Sequence, residues 1–304
     1  MQSEMENTYE IITNENEFEN LENNKFKGKV PQMINSRIVF KGTNNLLYCE
    51  RDVVLKNCKI NFNCDNSIVY LSSNKYKYYV SISVHHNSLV YFGKNNYMKD
   101  TLRMIASEET HIVIGSDGLF SSPISFRTAD PHLIYKCNDL TRINPSKSIY
   151  IGDHVWIGEN VTILKGTKVG SGSIIGACSV LSGKKVPSNT SFAGNPAKMI
   201  GKNILFIKPS VHKYTGEDTQ NSLNCSQKDG KKFTYENKRK EVFATSEIDE
   251  AMKKFLSIDE RLDYIRTNLS ENSNKNRFFV PLPKEQKKNL VYYIRKFLRR
   301  IIGI

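Results

Sequence analysis

Apolar or small residues recur at every sixth position over the middle of the chain. The repeat positions are Ile151, Ile157, Ile163, Val169, Ile175, Leu181, Pro187 and Ala193. An α-helix would place apolar residues three or four apart and a simple strand two apart, so a period of six fits neither element. Short strands joined by corners do fit, and glycine follows the repeat residue at positions 152, 158, 170, 176 and 194. We therefore predict a β-solenoid in which three hexads close one triangular coil.

A longer echo lies upstream of the hexads. Residues 66–71 resemble residues 87–92 at an offset of 21 positions, and residues 90–93 resemble residues 112–115 at an offset of 22. These segments predict successive coils with longer corners, so the solenoid is expected to begin near Pro31. The alternative is chance similarity between strands of an asparagine-rich chain.

Length and composition restrict the class of protein. A chain of 304 residues with 39% apolar residues can build a full core, so global disorder is excluded. No apolar run approaches the roughly 18 residues of a membrane-spanning helix, and residues 1–7 lack the basic start and apolar stretch of a secretory signal. We therefore expect a cytoplasmic protein. The six cysteines are irregularly spaced, which favours reduced thiols over disulfides or a zinc site.

Charge divides the chain into three parts. The 44 Lys and Arg against 31 Asp and Glu give a formal net charge of +13, yet residues 1–28 hold seven Glu against only two Lys. We predict an acidic, mobile N-terminal arm (1–29), a solenoid domain (30–204), and a linker with a basic helical extension (205–304). A basic surface can serve nucleic acid, an anionic membrane face or acidic glycans, and charge alone does not choose between them.

The hexad phase breaks between Phe126 and Ser148, which predicts an inserted loop. Loops on a rigid scaffold often display functional groups. This loop carries Arg127, Asp130, His132, Tyr135 and Arg142.

Two groups of residues carry a resemblance to known enzymes. The hexads at residues 149–158, with the closing segment 193–198, resemble the hexapeptide-repeat acyltransferases. Residues 126–135 and 142–148 resemble more specifically the bacterial O-acetyltransferases that modify sialic acid in polysialic capsules and lipooligosaccharides. The resemblance covers about residues 30–204. It implies a left-handed parallel β-helix that works as a homotrimer on acetyl-CoA, with active sites between subunits.

The resemblance also implies roles for single residues. His132 matches the catalytic histidine of the family, and a neutral imidazole can take the proton from an attacking sugar hydroxyl. The alternative is that His132 bonds a loop carbonyl. Trp156, the one tryptophan of the chain, matches a residue proposed to stabilise the thioester oxyanion or to place the acceptor. The alternative for Trp156 is an aromatic contact in the trimer interface.

The C-terminal coils are expected to bind coenzyme A, with small residues beside the pantetheine arm and lysines on the phosphates. The expected cofactor-binding residues are Gly176, Ala177, Ser182, Lys184, Lys185, Asn195, Pro196 and Lys198. Lys184 and Lys185 could equally be solvated surface charges. Arg127 and Arg142 are expected to grip the carboxylate of an anionic acceptor, or else to stabilise the loop through backbone carbonyls.

Three histidines, His111, His132 and His154, are spaced 21 and 22 residues apart, close to one long coil each. Stacked histidines on a β-helix can bind zinc, but the H-x₄-H pair used by zinc enzymes of this architecture is missing, so no metal is expected. His154 is instead expected on a solenoid corner near the active site, where it helps to position the donor.

The C-terminal part of the chain predicts helices. One helix is predicted to begin near Ser246, with an interruption near Ser257, and a basic amphipathic helix is predicted after Pro283. The basic helix could lie on the inner membrane face or pack on the solenoid with its charges in water. Residues 208–245 are polar and are predicted to form a linker.

These patterns together predict an enzyme that moves acetyl from acetyl-CoA to a hydroxyl of sialic acid residues on a bacterial surface glycan. One alternative is acetylation of another bacterial sugar. A second is a non-catalytic solenoid scaffold, which would keep the hexads but would not need His132 and Trp156. Nucleic-acid binding is disfavoured because the lysines are not interleaved with an aromatic platform of a recognised module.

Overall fold

Short strands stack into three columns along the chain. The computed structural model describes residues 9–236, 245–255 and 257–283. Sheet A consists of β1 (Glu10–Ile12), β4 (Arg37–Phe40), β7 (Lys59–Phe62), β9 (Val80–Val84), β12 (Leu102–Ala106), β15 (Ile124–Arg127), β18 (Val161–Leu164) and β21 (Val180–Leu181). Sheet B consists of β2 (Lys25–Gly28), β5 (Leu46–Cys49), β8 (Ile68–Leu71), β10 (Leu89–Phe92), β13 (His111–Ile114), β16 (Ile149–Ile151), β19 (Lys168–Val169) and β22 (Lys185–Val186).

The third side of each coil is shorter. Sheet C consists of β11 (Tyr97–Met98), β14 (Leu119–Phe120), β17 (Trp156–Ile157), β20 (Ile174–Ile175), β23 (Thr190–Ala193) and β24 (Lys198–Lys202). Earlier coils form a two-stranded sheet on this side, with β3 (Gln32–Ile34) and β6 (Val54–Lys56). Each coil passes through sheet B, the third side and sheet A, and pairs in parallel with the next coil. The described strands therefore form the predicted β-solenoid.

Both predicted repeat lengths are present in the strand register. Ile68 pairs with Leu89 and Leu89 pairs with His111, so these coils have 21 and 22 residues. Tyr150 pairs with Lys168, which gives an 18-residue coil built from three hexads. The upstream echo is therefore structural, because its matching residues lie side by side in sheet B.

The hexad phase slips by one residue after Leu181. Val169 pairs with Val186, and Ile175 pairs with Phe192. Val186 and Phe192 consequently join the core, and the predicted repeat positions Pro187 and Ala193 are wrong by one residue. The cause is a coil of 17 residues between Lys168 and Lys185, one residue shorter than the coil before it.

Asparagine forms corners of the solenoid. Asn44, Asn66 and Asn87 lie at successive corners between sheets A and B, with φ values of 51°, 58° and 55°. Asparagine enters this left-handed region more readily than most residues. The Asn44 amide also donates to Oδ1 of Asn66 at 2.7 Å, so neighbouring corners are bonded to each other. The asparagines that marked the upstream echo are therefore corner residues.

The predicted mobile N-terminal arm is wrong for the part that the structure describes. β1 pairs antiparallel with β4, and β2 pairs in parallel with β5. Phe18 is buried and packs against Phe26, with ring centroids 4.4 Å apart. These apolar contacts and strand edges add a coil below the expected start at Pro31.

Helices follow the solenoid. They are α1 (Gly216–Asn221), α2 (Gln227–Phe233), α3 (Thr245–Lys254) and α4 (Ile258–Ile265), with a 3₁₀ helix at Val211–Lys213 and a π-helical turn at Arg266–Ser270. A further 3₁₀ helix, Glu15–Asn20, lies between β1 and β2. The interruption near Ser257 is confirmed, since Ser257 caps α4 and forms a capping box with Glu260. The predicted linker is wrong in part, because it contains α1 and α2. The basic helix expected after Pro283 lies outside the described residues.

The α3–α4 segment covers the outer face of sheet B. Tyr48, Tyr70 and Tyr91 stack on that face, with centroids 4.5 and 5.2 Å apart. The buried helical residues packed over this face are Ile248, Met252, Ile258, Leu262, Ile265 and Leu269. Burial of such side chains stabilises the contact by about 1.5–3 kcal/mol each relative to exposure. Sheet B is therefore an interior layer.

A buried ion pair fixes the end of this segment. The Arg277 guanidinium donates to both carboxylate oxygens of Asp153, at 2.7 and 3.0 Å. Its Nη1 donates to the carbonyl oxygens of Leu269 and Asn272, and its Nη2 also donates to the Ser116 hydroxyl. Because a charge removed from water needs such a set of partners, this contact defines where residues 269–277 dock. None of the helices in the described ranges is long and apolar enough to cross a membrane.

Candidate active site

The inserted loop lies between β15 in sheet A and β16 in sheet B, as predicted. Tyr135 and Arg142 form an antiparallel bridge, so the loop is a short hairpin. Residues 131–141 at its tip are all exposed. The loop therefore extends from one corner of the solenoid.

Asn144 holds the loop from within. This residue is only 5% exposed. Its Nδ2 donates to the His132 carbonyl oxygen at 2.7 Å and to Oδ2 of Asp130 at 3.2 Å. Its Oδ1 accepts from the Ile134 backbone amide at 2.9 Å. A buried amide without hydrogen bonds would lower the stability of the fold by about 1–3 kcal/mol. The Asn144 bonds are therefore maintained, and they fix the backbone conformation on both sides of His132.

Neighbouring coils anchor the loop from two sides. Lys165 of the following coil donates to Oδ2 of Asp130 at 2.5 Å and to the Asn144 carbonyl oxygen at 3.0 Å. Glu108 of the preceding coil accepts from Arg142 through both carboxylate oxygens. The hydrogen bond from Arg142 lowers the pKa of Glu108 to about 2, and the bond from Lys165 lowers the pKa of Asp130. Both carboxylates therefore stay ionised at neutral pH.

His132 combines a fixed backbone with an accessible side chain. Its carbonyl is bonded to Asn144, whereas its imidazole is exposed and makes no hydrogen bond within the described part of the chain. The imidazole does not bond a loop carbonyl, which was the structural alternative for this residue. A side chain in this position can meet a substrate hydroxyl without first breaking a protein contact.

The two arginines of the loop differ. Arg127 is exposed at the end of β15. Arg142 is paired with Glu108, so its expected role in gripping an acceptor carboxylate is not supported. The pairing instead fits the alternative that Arg142 stabilises the loop.

Trp156 and His154 lie on another side of the coil. Trp156 projects from β17 in sheet C and is 38% exposed, as its position beside the inward-facing Ile157 predicts. His154 occupies the predicted corner, with a φ of 52°. It is, however, buried between the rings of Phe206 and Phe233, at centroid distances of 4.1 and 4.0 Å.

This burial changes the expected role of His154. Its Nε2 lies 2.9 Å from the Phe206 carbonyl oxygen, and burial lowers its pKa. The predicted role of His154 in positioning the donor is therefore not supported, because its ring faces are occupied by phenylalanines. It packs residues 206–233 against the solenoid.

Part of the expected coenzyme A site lies at the corner between sheets C and A. Gly176 and Ala177 form this corner between β20 and β21. The turn after β23 packs beside it, since Val180 donates to the Gly194 carbonyl oxygen at 3.1 Å and accepts from the Ala197 amide at 2.9 Å. Asn195 and Pro196 are exposed at the tip of this turn, and Lys198 is exposed where β24 begins.

The remaining expected coenzyme A residues lie at the next corner. Ser182 and Lys185 are exposed, and Lys184 is half-buried. Ser182 and Lys184 lie between β21 in sheet A and β22 in sheet B, and Lys185 begins β22. This is also the column of corners from which the His132 loop extends. The structure therefore divides the expected donor site between two edges of sheet A.

The three evenly spaced histidines do not share a site. His111 is buried under α3, His132 is on the loop, and His154 is packed between phenylalanines. Across the described ranges, no group of three or more His, Cys, Asp or Glu is arranged to hold a metal ion.

Three residues that hold the inserted loop in place were not predicted from the sequence. Asn144, Lys165 and Glu108 fix the loop from within and from two other coils. Asn144 stands in the stretch that resembles the acetyltransferases, which could have indicated it. Lys165 and Glu108 are 35 and 34 residues from their partners, and only the coil register brings these pairs together.

The coils match a known family. A model of the bacterial transferase hexapeptide (six repeats) matches residues 148–183. A polysialic acid O-acetyltransferase of Escherichia coli O1:K1 / APEC is 36% identical over 114 residues, which cover 38% of this chain and 37% of that protein. The chain therefore spans little more than a third of this curated relative in the matched segment.

A solved structure matches a larger share of the chain. The polySia specific acetyltransferase NeuO is 30% identical with a TM-score of 0.56, and the match covers 66% of this chain and 93% of that one. The polysialic acid O-acetyltransferase OatWY is 25% identical with a TM-score of 0.47, over 65% of this chain and 97% of that one. Given the match to NeuO over nearly all of its length and the hexapeptide coils, the chain belongs to the hexapeptide-repeat acyltransferases.

Proposed function

We propose that this chain transfers acetyl from acetyl-CoA to a hydroxyl of a sialic acid residue on a bacterial surface glycan, with His132 as general base. The observation that carries the proposal is a solenoid similar to NeuO that presents an accessible imidazole on a loop fixed by a buried amide. The curated relative acts on polysialic acid, which supports the same acceptor class here.

The chemistry requires one proton to move in each half of the reaction. A ring nitrogen of His132 takes the proton of the sugar hydroxyl as its oxygen attacks the thioester carbonyl. The tetrahedral intermediate then loses the coenzyme A thiolate, which receives the proton from the imidazolium. A positioned base of this kind typically contributes about 10²–10⁴-fold to the rate.

Trp156 is the proposed second group at the site. Its indole N–H can donate to the oxyanion or to the acceptor, and its ring is partly exposed in sheet C. Within one chain, the loop that carries His132 leaves the solenoid at the corner between sheets A and B, whereas Trp156 lies in sheet C. A site that uses both residues is therefore completed by a second copy, which supports a homotrimer with sites at the seams.

The tip of the His132 loop supports such a seam. Its large apolar side chains are exposed, and the most exposed is Leu140 at 75%. The others are Leu133, Ile134, Tyr135 and Ile143. When a neighbouring subunit covers these apolar side chains, their removal from water stabilises the assembly.

The donor is proposed to lie along the edges of sheet A. Close stacking of Gly176 on Ala193 leaves a shallow corner where the pantetheine arm can approach backbone. Lys184, Lys185 and Lys198 supply cations for the coenzyme phosphates.

An acceptor screen with labelled acetyl-CoA tests the function. Purified chain should transfer label to a sialylated acceptor and not to a neutral sugar of similar size. Transfer to neutral sugars alone would show that the acceptor is another bacterial sugar and not a sialic acid. Absence of transfer and of thioester hydrolysis with every acceptor would support a non-catalytic scaffold.

A further inference from the structure

The outer face of sheet A carries a row of cations. Strand register places Arg37 beside Lys59, Lys59 beside Ser81, and Ser81 beside Arg103. These side chains point outward, because the residues that alternate with them are buried. The row continues diagonally to Arg127, since Ile105 of the Arg103 strand pairs with Arg127. We call Arg37, Lys59, Arg103 and Arg127 the cationic row.

The four cations are available for a ligand. All four are exposed, and none takes part in an ion pair among the described residues. Lys25 and Lys27, at the same end of the solenoid, are by contrast neutralised by Asp259. No outward position of β4, β7, β9, β12 or β15 is acidic. The face therefore attracts anions along its length.

The row leads to the proposed active site. Strands in a sheet are about 4.8 Å apart, so the row extends roughly 19 Å from β4 to β15. At β15 the chain enters the loop that carries His132. Sheet B is covered by α3 and α4, whereas sheet A keeps its side chains exposed or half-buried over β7 to β15. A linear anion bound here would extend directly from the reacting unit.

The chemistry of the row favours an acidic glycan. Between the cations lie hydroxyl and amide groups of Asn61, Ser81, Ser83 and Ser125, which can bond sugar hydroxyls. The outward positions of the sheet A strands β4, β7, β9, β12 and β15 include no aromatic residue. Single-stranded nucleic acid is usually held by bases stacked on aromatic side chains, so it fits this surface less well.

We propose that the cationic row binds the extended part of a polyanionic glycan acceptor while one of its units is acetylated at His132. The inference rests on the proposed function and adds a second contact region, which acts only on acceptors long enough to reach it. Binding energy from a remote part of the substrate then favours long acceptors over short ones.

The test removes two charges from the middle of the row. The Lys59→Gln/Arg103→Gln variant should raise KM for a long sialic acid polymer about fivefold, because each exposed pair contributes modestly. Its kcat, its KM for acetyl-CoA and its KM for a sialic acid dimer should not change. The matched control is Lys29→Gln/Lys77→Gln, which removes two exposed lysines outside sheet A. The control should retain the wild-type KM for the polymer.

Direct binding separates this inference from the proposed function. Anisotropy of a labelled sialic acid polymer should show the same loss of affinity in Lys59→Gln/Arg103→Gln, and a shallower dependence on salt. Wild-type transfer to the dimer, with polymer affinity equal in all three proteins, would overturn the cationic row and leave the function intact. Failure of the wild-type chain both to bind the polymer and to acetylate any sialylated acceptor would overturn the function as well. Tighter binding of single-stranded DNA than of the polymer would assign the row to nucleic acid and overturn the inference.

Discussion

His132 is fixed through its backbone and open through its ring, a combination that makes a sharp test possible. The His132→Ala variant should lose roughly 10²-fold or more in kcat, because the base is removed. The Asn144 bonds to the backbone should persist, since the His132 carbonyl is unchanged. Steady-state kinetics with a sialylated acceptor and calorimetry with coenzyme A measure the two effects separately.

His212 provides the control for this substitution. It is exposed in the 3₁₀ helix Val211–Lys213, outside the loop. His212→Ala should retain wild-type kcat and coenzyme A affinity. Near wild-type turnover in folded His132→Ala would remove His132 from the role of base.

The Arg142 and Glu108 side chains should act as one unit. Arg142→Ala and Glu108→Ala each break the same bidentate pair, so each should loosen the loop and lower kcat/KM by about tenfold. The loss should be equal for sialylated and neutral acceptors. The double variant should lose less than the two single variants added together, because each of them already removes the shared pair; only the Ser146 bonds to Glu108 are lost in addition.

A different pattern would assign Arg142 to the substrate. If its guanidinium bound the acceptor carboxylate, Arg142→Ala would affect only sialylated acceptors, and Glu108→Ala would have little effect. Kinetics with both acceptor types for the three variants distinguishes these cases.

Single residues were predictable from sequence where their chemistry stood alone. His132 and Trp156 are rare residue types at a phase break and on the hexads, and both are exposed in the structure. The ion pair between Arg142 and Glu108 was not predictable from the sequence. Their contact depends on which corner of one coil lies beside the inserted loop of the next, and that is a property of the register.

Strands and coils were more predictable than single contacts. Each side of each coil must contribute an apolar residue to the core, so the length of the repeat can be read from the spacing of apolar residues. The slip after Leu181 was missed because Pro187 and Ala193 are small residues that continue the apparent hexad. The docking of α3 and α4 was also missed, since their apolar spacing predicts a helix but does not identify the face that it covers.

The α3 contact contains a buried histidine that should make stability depend on pH. His111 is 1% exposed, neither ring nitrogen has a hydrogen-bond partner among the described residues, and Asp249 lies 4.0 Å away. Burial lowers the pKa of His111 well below its usual value, although Asp249 opposes this shift. The native imidazole is therefore neutral, and unfolding restores a pKa near 6.5 and takes up a proton. The contribution of His111 to the free energy of unfolding is complete above about pH 6.5 and decreases as the pH falls below that value.

Replacing His111 should remove this part of the pH dependence. Between pH 7 and pH 5, the wild-type free energy of unfolding should fall by on the order of 1 kcal/mol more than that of His111→Leu. Urea unfolding at the two pH values measures the difference. His212→Leu, at an exposed site, should behave like the wild type. An equal fall in wild type and His111→Leu would show that His111 does not titrate on unfolding.

At the scale of the whole molecule, the three sides of the solenoid have different roles. Sheet B is covered by the α3–α4 segment, sheet A displays the cationic row, and sheet C carries Trp156. The residues proposed for catalysis are therefore distributed over the surface of one chain. The proposed active site, which uses both His132 and Trp156, would then be completed by a second copy of the chain.

Mixed assemblies test whether His132 and Trp156 meet across a seam. His132→Ala and Trp156→Ala chains should each be nearly inactive alone. If one subunit contributes the histidine and its neighbour the tryptophan, random mixing in equal amounts leaves about a quarter of the seams with both residues intact. Purification of the co-expressed variants through two different tags removes the unmixed trimers, and each mixed trimer keeps one intact seam of three, so the recovered kcat per seam should be about a third of the wild-type value. If both residues act within one chain, every site of the mixture lacks one of them and no activity returns, so zero recovery in an assembly shown by light scattering to be mixed would overturn the shared site.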